Sequence, residues 1–211
     1  MMASKRRHWY EYLWLAELLY WVLGVCNILC AWLGLIFFTI PLLLAILGYG
    51  KAYCNRYCGR GQLLFLLGSR LGLSRNAPPP AFLRSKAFRF GFLAFFMVMF
   101  CLMLFSTWKV FTGAPLQQTV TLLWTFKLPW QWTDVSGVSP WMAQFAYGFF
   151  SVMMTSTTLG LVTMVLFRPR SWCVYCPMGT MTQGICMLKD PAARKRLDAE
   201  QQQGTLPHSR K

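Results

Sequence analysis

Long apolar stretches of the chain carry no charged side chain, among them Leu18 to Gly50, Phe90 to Trp108, and Ala143 to Phe167. A helix that crosses a bilayer needs about 20 predominantly apolar residues. The second and third stretches therefore predict one span each, and the first is too long for one. Tyr12 to Gly50 divides into two helices, about 12–29 and 32–50, with the turn between Asn27 and Gly34. Pro41 falls inside the second of these, where membrane helices tolerate it. The other two spans run over about 88–108 and 143–167. Between the second and third spans, Gln62 to Leu73 places Leu63, Leu64, Leu66, Leu67 and Leu71 in a pattern that suits a short helix on the membrane surface. Asn76-Ala77-Pro78-Pro79-Pro80 then breaks the chain. The segment Lys109 to Trp141 is polar by comparison and rich in Trp. It reads equally as an aromatic belt at the headgroups, with Trp108, Trp124, Trp130, Trp132 and Trp141, and as a loop packed on itself.

The predicted fold is thus an all-α integral membrane protein. Its four transmembrane helices form two hairpins, each ending in a cytoplasmic Cys loop, at 51–61 and 170–186. A basic N-terminus (1–11) and a polar tail (189–211), both cytoplasmic, flank a membrane domain over 12–188. The basic start Lys5-Arg6-Arg7 resembles a secretory signal, but the apolar sequence after it is longer than a signal's apolar region of about 7–15 residues. The first helix is read as retained.

Charge sets the orientation and chooses four spans over three. Of 21 basic residues, only Lys109 and Lys127 lie between the third and fourth spans. The rest lie in the N-terminus, the 51–89 segment and the C-terminal region. Four spans put these three regions on one side, which the positive-inside rule identifies as the cytoplasm. Three spans would send the eight basic residues of 51–89 to the opposite side. The expected location is the cytoplasmic (inner) membrane, as a multi-pass protein with both termini cytoplasmic. The net charge of +15 is accounted for in the same way and does not call for nucleic acid.

Eight cysteines are many for a cytoplasmic-type protein, and because a disulfide scaffold suits a small, secreted, loop-rich protein, metal or redox chemistry is the better reading. Two motifs stand out. The first reads Lys51-Ala52-Tyr53-Cys54-Asn55-Arg56-Tyr57-Cys58-Gly59-Arg60-Gly61. The second reads Arg170-Ser171-Trp172-Cys173-Val174-Tyr175-Cys176-Pro177-Met178-Gly179. Each has a basic residue, an aromatic before the first Cys, a Tyr before the second, and a Gly three residues after it. Each also begins where a span ends. The pattern implies an internal duplication, with Cys54, Cys58, Cys173 and Cys176 as a four-thiolate ligand set. Four thiolates bind an iron–sulfur cluster or a structural zinc. Lys51, Arg56, Arg60, Arg168 and Arg170 would offset the negative charge of a cluster. Gly59, Gly61 and Gly179 let backbone N–H groups approach the sulfurs, and Pro177 follows a ligand Cys as in iron–sulfur runs. These features favour an iron–sulfur cluster, [4Fe–4S] or [2Fe–2S], with zinc as the alternative.

With these helix-end motifs, and Phe167-Arg168-Pro169-Arg170-Ser171-Trp172-Cys173-Val174-Tyr175-Cys176-Pro177-Met178-Gly179 as the most specific string, the chain resembles membrane iron–sulfur proteins of the NapH/NosR/CcoG-type, or polyferredoxin-like, family. The resemblance runs from about Tyr12 to Cys186. It implies a membrane electron-transfer protein that relays electrons at the cytoplasmic face to or from a partner redox protein, such as a flavoprotein, or a quinol. It implies an electron-transfer subunit rather than a stand-alone enzyme. Larger members add soluble ferredoxin domains, which this chain lacks. The family motif is C-x3-C-P; here Gly59 stands in place of the first Pro, and the second motif is one residue shorter.

Other residues have plainer readings. Cys26 and Cys30, four apart, share a face of the first helix and read as small apolar residues, as does Cys101. Cys186 lies ten residues beyond Cys176 and is a weaker candidate thiol. Glu17 is a candidate proton relay or quinone contact, but a headgroup or an Arg partner is favoured. His8 and His208 are the only histidines, which argues against bis-His haem, and no C-x-x-C-H, P-loop or G-x-G-x-x-G pattern occurs. The remaining alternatives are a zinc-clamped scaffold or assembly factor and a membrane thiol oxidoreductase.

Overall fold

The structure, a computed structural model, describes residues 12–48, 53–123, 125–133 and 135–189. The basic N-terminus, Lys51, Trp124 and the tail beyond Lys189 lie outside the described residues. The chain is mostly helical. Among the described residues, three helices are long and apolar enough to cross a membrane: Ile28–Ile46, Lys86–Phe111 and Pro140–Leu166. A shorter apolar helix, α1 (Leu13–Cys26), precedes them.

α1 ends because Asn27 leaves helical geometry, with φ −143° and ψ 114°. Its side chain then accepts a hydrogen bond from the Leu29 N–H at 3.0 Å and starts the next helix. That helix opens with a 3₁₀ segment, Ile28–Leu33, and continues as α2, Gly34–Ile46, with Pro41 inside it. The reversal is therefore at Asn27 itself. It splits Cys26 from Cys30, so the expectation that they share a helix face is corrected.

After α2 the chain makes a π-helical turn, Tyr53–Tyr57, then α3, Gly59–Phe65, and a second π-helical turn, Leu66–Arg70. The expected surface helix over 62–73 is corrected here. Leu63 and Leu64 are buried, because α3 packs on α1 and Leu64 enters a core cluster with Met164, Trp172 and Tyr175. Next come α4, Ala81–Arg84, and α5, Lys86–Phe111, whose N-cap Ser85 accepts from the Phe88 N–H. After α6, Pro140–Leu166, which begins on a proline at its first turn, two further helices close the described chain. They are α7, Trp172–Tyr175, and α8, Pro177–Lys189.

The all-α expectation is corrected by a two-stranded antiparallel hairpin in the 109–141 segment. β1 (Thr119–Leu122) pairs with β2 (Phe126–Pro129), Thr119 opposite Pro129. Side chains of α6 satisfy the backbone along the other side of β1. Gln144 Oε1 accepts from the Gln117 N–H, Ser151 Oγ from the Thr121 N–H, and Thr155 Oγ1 from the Leu123 N–H. Gln144 and Thr155 are eleven positions apart, about 16 Å along the helix. Over that length α6 supplies hydrogen-bond partners to backbone that is not helical. The Trp-rich segment thus divides: Trp130 is buried in the main core with Phe150 and Val120, whereas Trp108 and Trp132 are exposed.

Two contacts fix the direction of α1. At one end the Leu13 carbonyl lies against Gly59, beside the first cysteine motif. At the other, the Val25 carbonyl accepts from Trp132 Nε1 in the 109–141 segment. α1 and the helix after it therefore run antiparallel. Apolar side chains point outward from the helices, among them Leu15, Leu19, Val98, Leu102 and Phe105.

Candidate metal centre

Both cysteine motifs sit at one end of the bundle, and each places its second cysteine directly before a helix. Cys58 has extended backbone (φ −73°, ψ 103°) and caps α3. Its Sγ accepts the Gly61 N–H at 3.4 Å. In the second motif, Cys173 lies on α7, which ends as the Cys176 N–H bonds the Trp172 carbonyl, and Pro177 begins α8. The two motifs share a local structure: a cysteine outside helical geometry, then a helix N-terminus, whose dipole favours negative charge. Pro177 occupies the first helical position, where a missing N–H costs nothing. Gly59 occupies the matching place in the first motif.

The two motifs meet at Gly61. A Cβ on this residue would stand 3.6 Å from Cys58 Sγ and 3.7 Å from Cys173 Sγ. The absent side chain lets the backbone lie against both sulfurs. Cys54 Sγ lies 3.9 Å from Thr182 Oγ1 on α8, which ties the first motif to the helix that follows the second. All four predicted cysteines line one cavity of ≈ 140 Å³, with Phe96, Phe100 and Met153 on its apolar walls. Among the described residues, no three His, Cys, Asp or Glu side chains converge tightly enough to hold a single metal ion.

The thiols are close enough to sense each other's charge. Burial pushes the Cys58 thiol up to about 12; the Gly61 N–H opposes this, and Cys173 and Cys176 add to it. Cys173 moves the same way, through burial and then Cys176, with Arg170 opposing. At neutral pH the free Cys58 is a thiol, so metal binding there must displace its proton.

Two charged residues stand among the cavity walls, Glu17 and Arg60. Arg60 Nε donates to Glu17 Oε1 at 2.9 Å, and Arg60 Nη1 donates to Ser156 Oγ at 2.5 Å. The third nitrogen, Nη2, lies 3.3 Å from Met153 Sδ. The favoured reading of Glu17, an Arg partner, is what the structure shows. Ser156, Met153 and Thr182 carried no signal beyond their place on long helices. Arg170 stacks over the Phe65 ring, 5.0 Å from its centroid.

The remaining cysteines stay apart from the cavity lining. Cys186 is half-buried on α8, Cys101 is exposed on α5, and Cys26 and Cys30 flank the Asn27 reversal at the far end of α1. The chain matches no family model, no curated protein and no solved structure.

Proposed function

We propose that this chain is a membrane electron-transfer protein in which Cys54, Cys58, Cys173 and Cys176 hold one [4Fe–4S] cluster. The observation that carries the reading is the meeting of Cys58 and Cys173, from separate motifs, on the bare backbone of Gly61. Four thiols around one cavity match the ligand number of such a cluster, and the Gly61 N–H already points at a sulfur, the kind of contact that tunes its potential. A structural zinc needs its sulfurs within about 2.3 Å of one point. Sulfurs spread around a cavity suit a larger inorganic core better. When bound, the cluster supplies one-electron transfer. The chain's own residues hold it, offset its charge through Arg60, and shield it behind Phe96 and Phe100. The partner classes are a soluble redox protein, such as a flavoprotein, and a quinol.

The test is anaerobic purification in detergent, followed by iron, sulfide and zinc analysis and EPR after dithionite reduction. About four irons and four sulfides per chain are expected for a cubane. Zinc without iron would replace this reading with a zinc-clamped scaffold.

The cluster end faces the cytoplasm in this reading, and α1 is a fourth crossing. Its 14 residues span only about 21 Å. Its two ends nevertheless touch opposite ends of the bundle, at Gly59 and at Trp132. Alkaline phosphatase fused after Gly137 is expected to be active, and fusions at Gly72 and at either terminus inactive. An active N-terminal fusion would reduce the crossings to three.

A further inference from the structure

We infer that the Arg60–Glu17 pair sets the reduction potential of the thiol-ligated centre: Arg60 is a positioning residue that supplies fixed positive charge beside the sulfurs, and Glu17 attenuates it. This rests on the electron-transfer reading above.

The guanidinium is held on three sides, by Glu17 from α1 and by Ser156 and Met153 from α6. Glu17 is 3% exposed. Both side chains line the cavity that the four cysteines line, and they are its only Asp, Glu, Lys or Arg among the described residues. Arg60 is also two positions from Cys58, on the first turn of α3. Reduction adds one negative charge to the centre. A fixed cation nearby favours that state and a fixed anion opposes it. Potentials of iron–sulfur centres respond to such local charge and to solvent exposure.

A purely structural role is the competing reading, because the same contacts tie α1, α3 and α6 together. Glu17→Gln separates the two. The amide keeps an acceptor oxygen for Arg60 Nε and removes only the negative charge. Full-length protein is loaded anaerobically, iron and sulfide are counted first, and the potential is then read by EPR-monitored redox titration. Glu17→Gln is expected to keep wild-type iron content and to favour the reduced state about tenfold, ~59 mV upward for a one-electron couple. Ser156→Ala removes a neutral contact and no charge, and is expected to leave the potential close to wild type.

A potential for Glu17→Gln that matches wild type overturns the inference. So does an equal shift in Ser156→Ala. Loss of the cluster from Glu17→Gln while Ser156→Ala retains it makes the pair a clamp, and also overturns it. Wild-type protein without iron is a different failure, that of the electron-transfer reading itself.

Discussion

Replacing Cys58 with serine is expected to leave the purified protein without iron or sulfide. Cys58 is the cysteine most firmly placed by its surroundings. It caps α3, takes the Gly61 N–H on its sulfur, and meets Cys173 across Gly61. A serine hydroxyl fits the same cap but is a hard, protonated oxygen where a soft thiolate is wanted. The helix should survive while the ligand is lost. Substituting Cys54, Cys173 or Cys176 by serine is expected to have the same outcome. Cys186→Ser, Cys101→Ser and Cys26→Ser are expected to keep full occupancy, because none of these residues lines the cavity. Iron and sulfide per chain across this series read the ligand set directly. Full occupancy in Cys58→Ser, or loss in Cys186→Ser, would show that the four-cysteine assignment is wrong.

The two cysteine motifs were legible in the sequence because their signals are local. Two cysteines at short spacing, an aromatic before each pair and a glycine three residues after it can be read without knowing the fold. The meeting of the two motifs was legible only through the charge argument, which put 51–89 and the region after Phe167 on one side. What the sequence hid depends on contacts between distant segments. The hairpin β1–β2 is held by Gln144, Ser151 and Thr155, whose spacing along α6 looks like any polar stripe until a strand is laid against it. The leucines of 62–67 fit a surface helix by pattern, and only the packing of α3 on α1 buries Leu63 and Leu64. Asn27 was one residue within a broad turn window, and its extended backbone, not its type, decides where α1 stops. An Arg partner for Glu17 was legible in the sequence, but that the partner is Arg60 follows only from the packing of α3 beside α1.

The same packing makes Gly59→Ala the substitution with the second-largest expected effect. A Cβ at residue 59 would stand 2.7 Å from the Leu13 carbonyl oxygen and 3.5 Å from Glu17 Cβ. The obstacle is backbone in the first turn of α1, not the end of a flexible side chain, so α1 itself must move. Overpacking of this kind costs about 1–3 kcal/mol. For a chain of this size, that is a fall of several degrees in Tm, at roughly 2–4 °C per kcal/mol. The displacement also carries Glu17 away from Arg60 and disturbs Cys58, the residue next to the new methyl, so cluster occupancy should fall together with Tm. Gly184→Ala on α8 is the matched control, because nothing lies within 4 Å of its added Cβ. Alanine there should gain up to about 1 kcal/mol from helix propensity. Thermal unfolding in detergent and iron content, measured on both variants, separate the cases. If Gly59→Ala unfolds at the wild-type temperature with full iron, α1 does not seat against the cysteine loop. The first hairpin would then be positioned by α2 alone, through its contacts with α8.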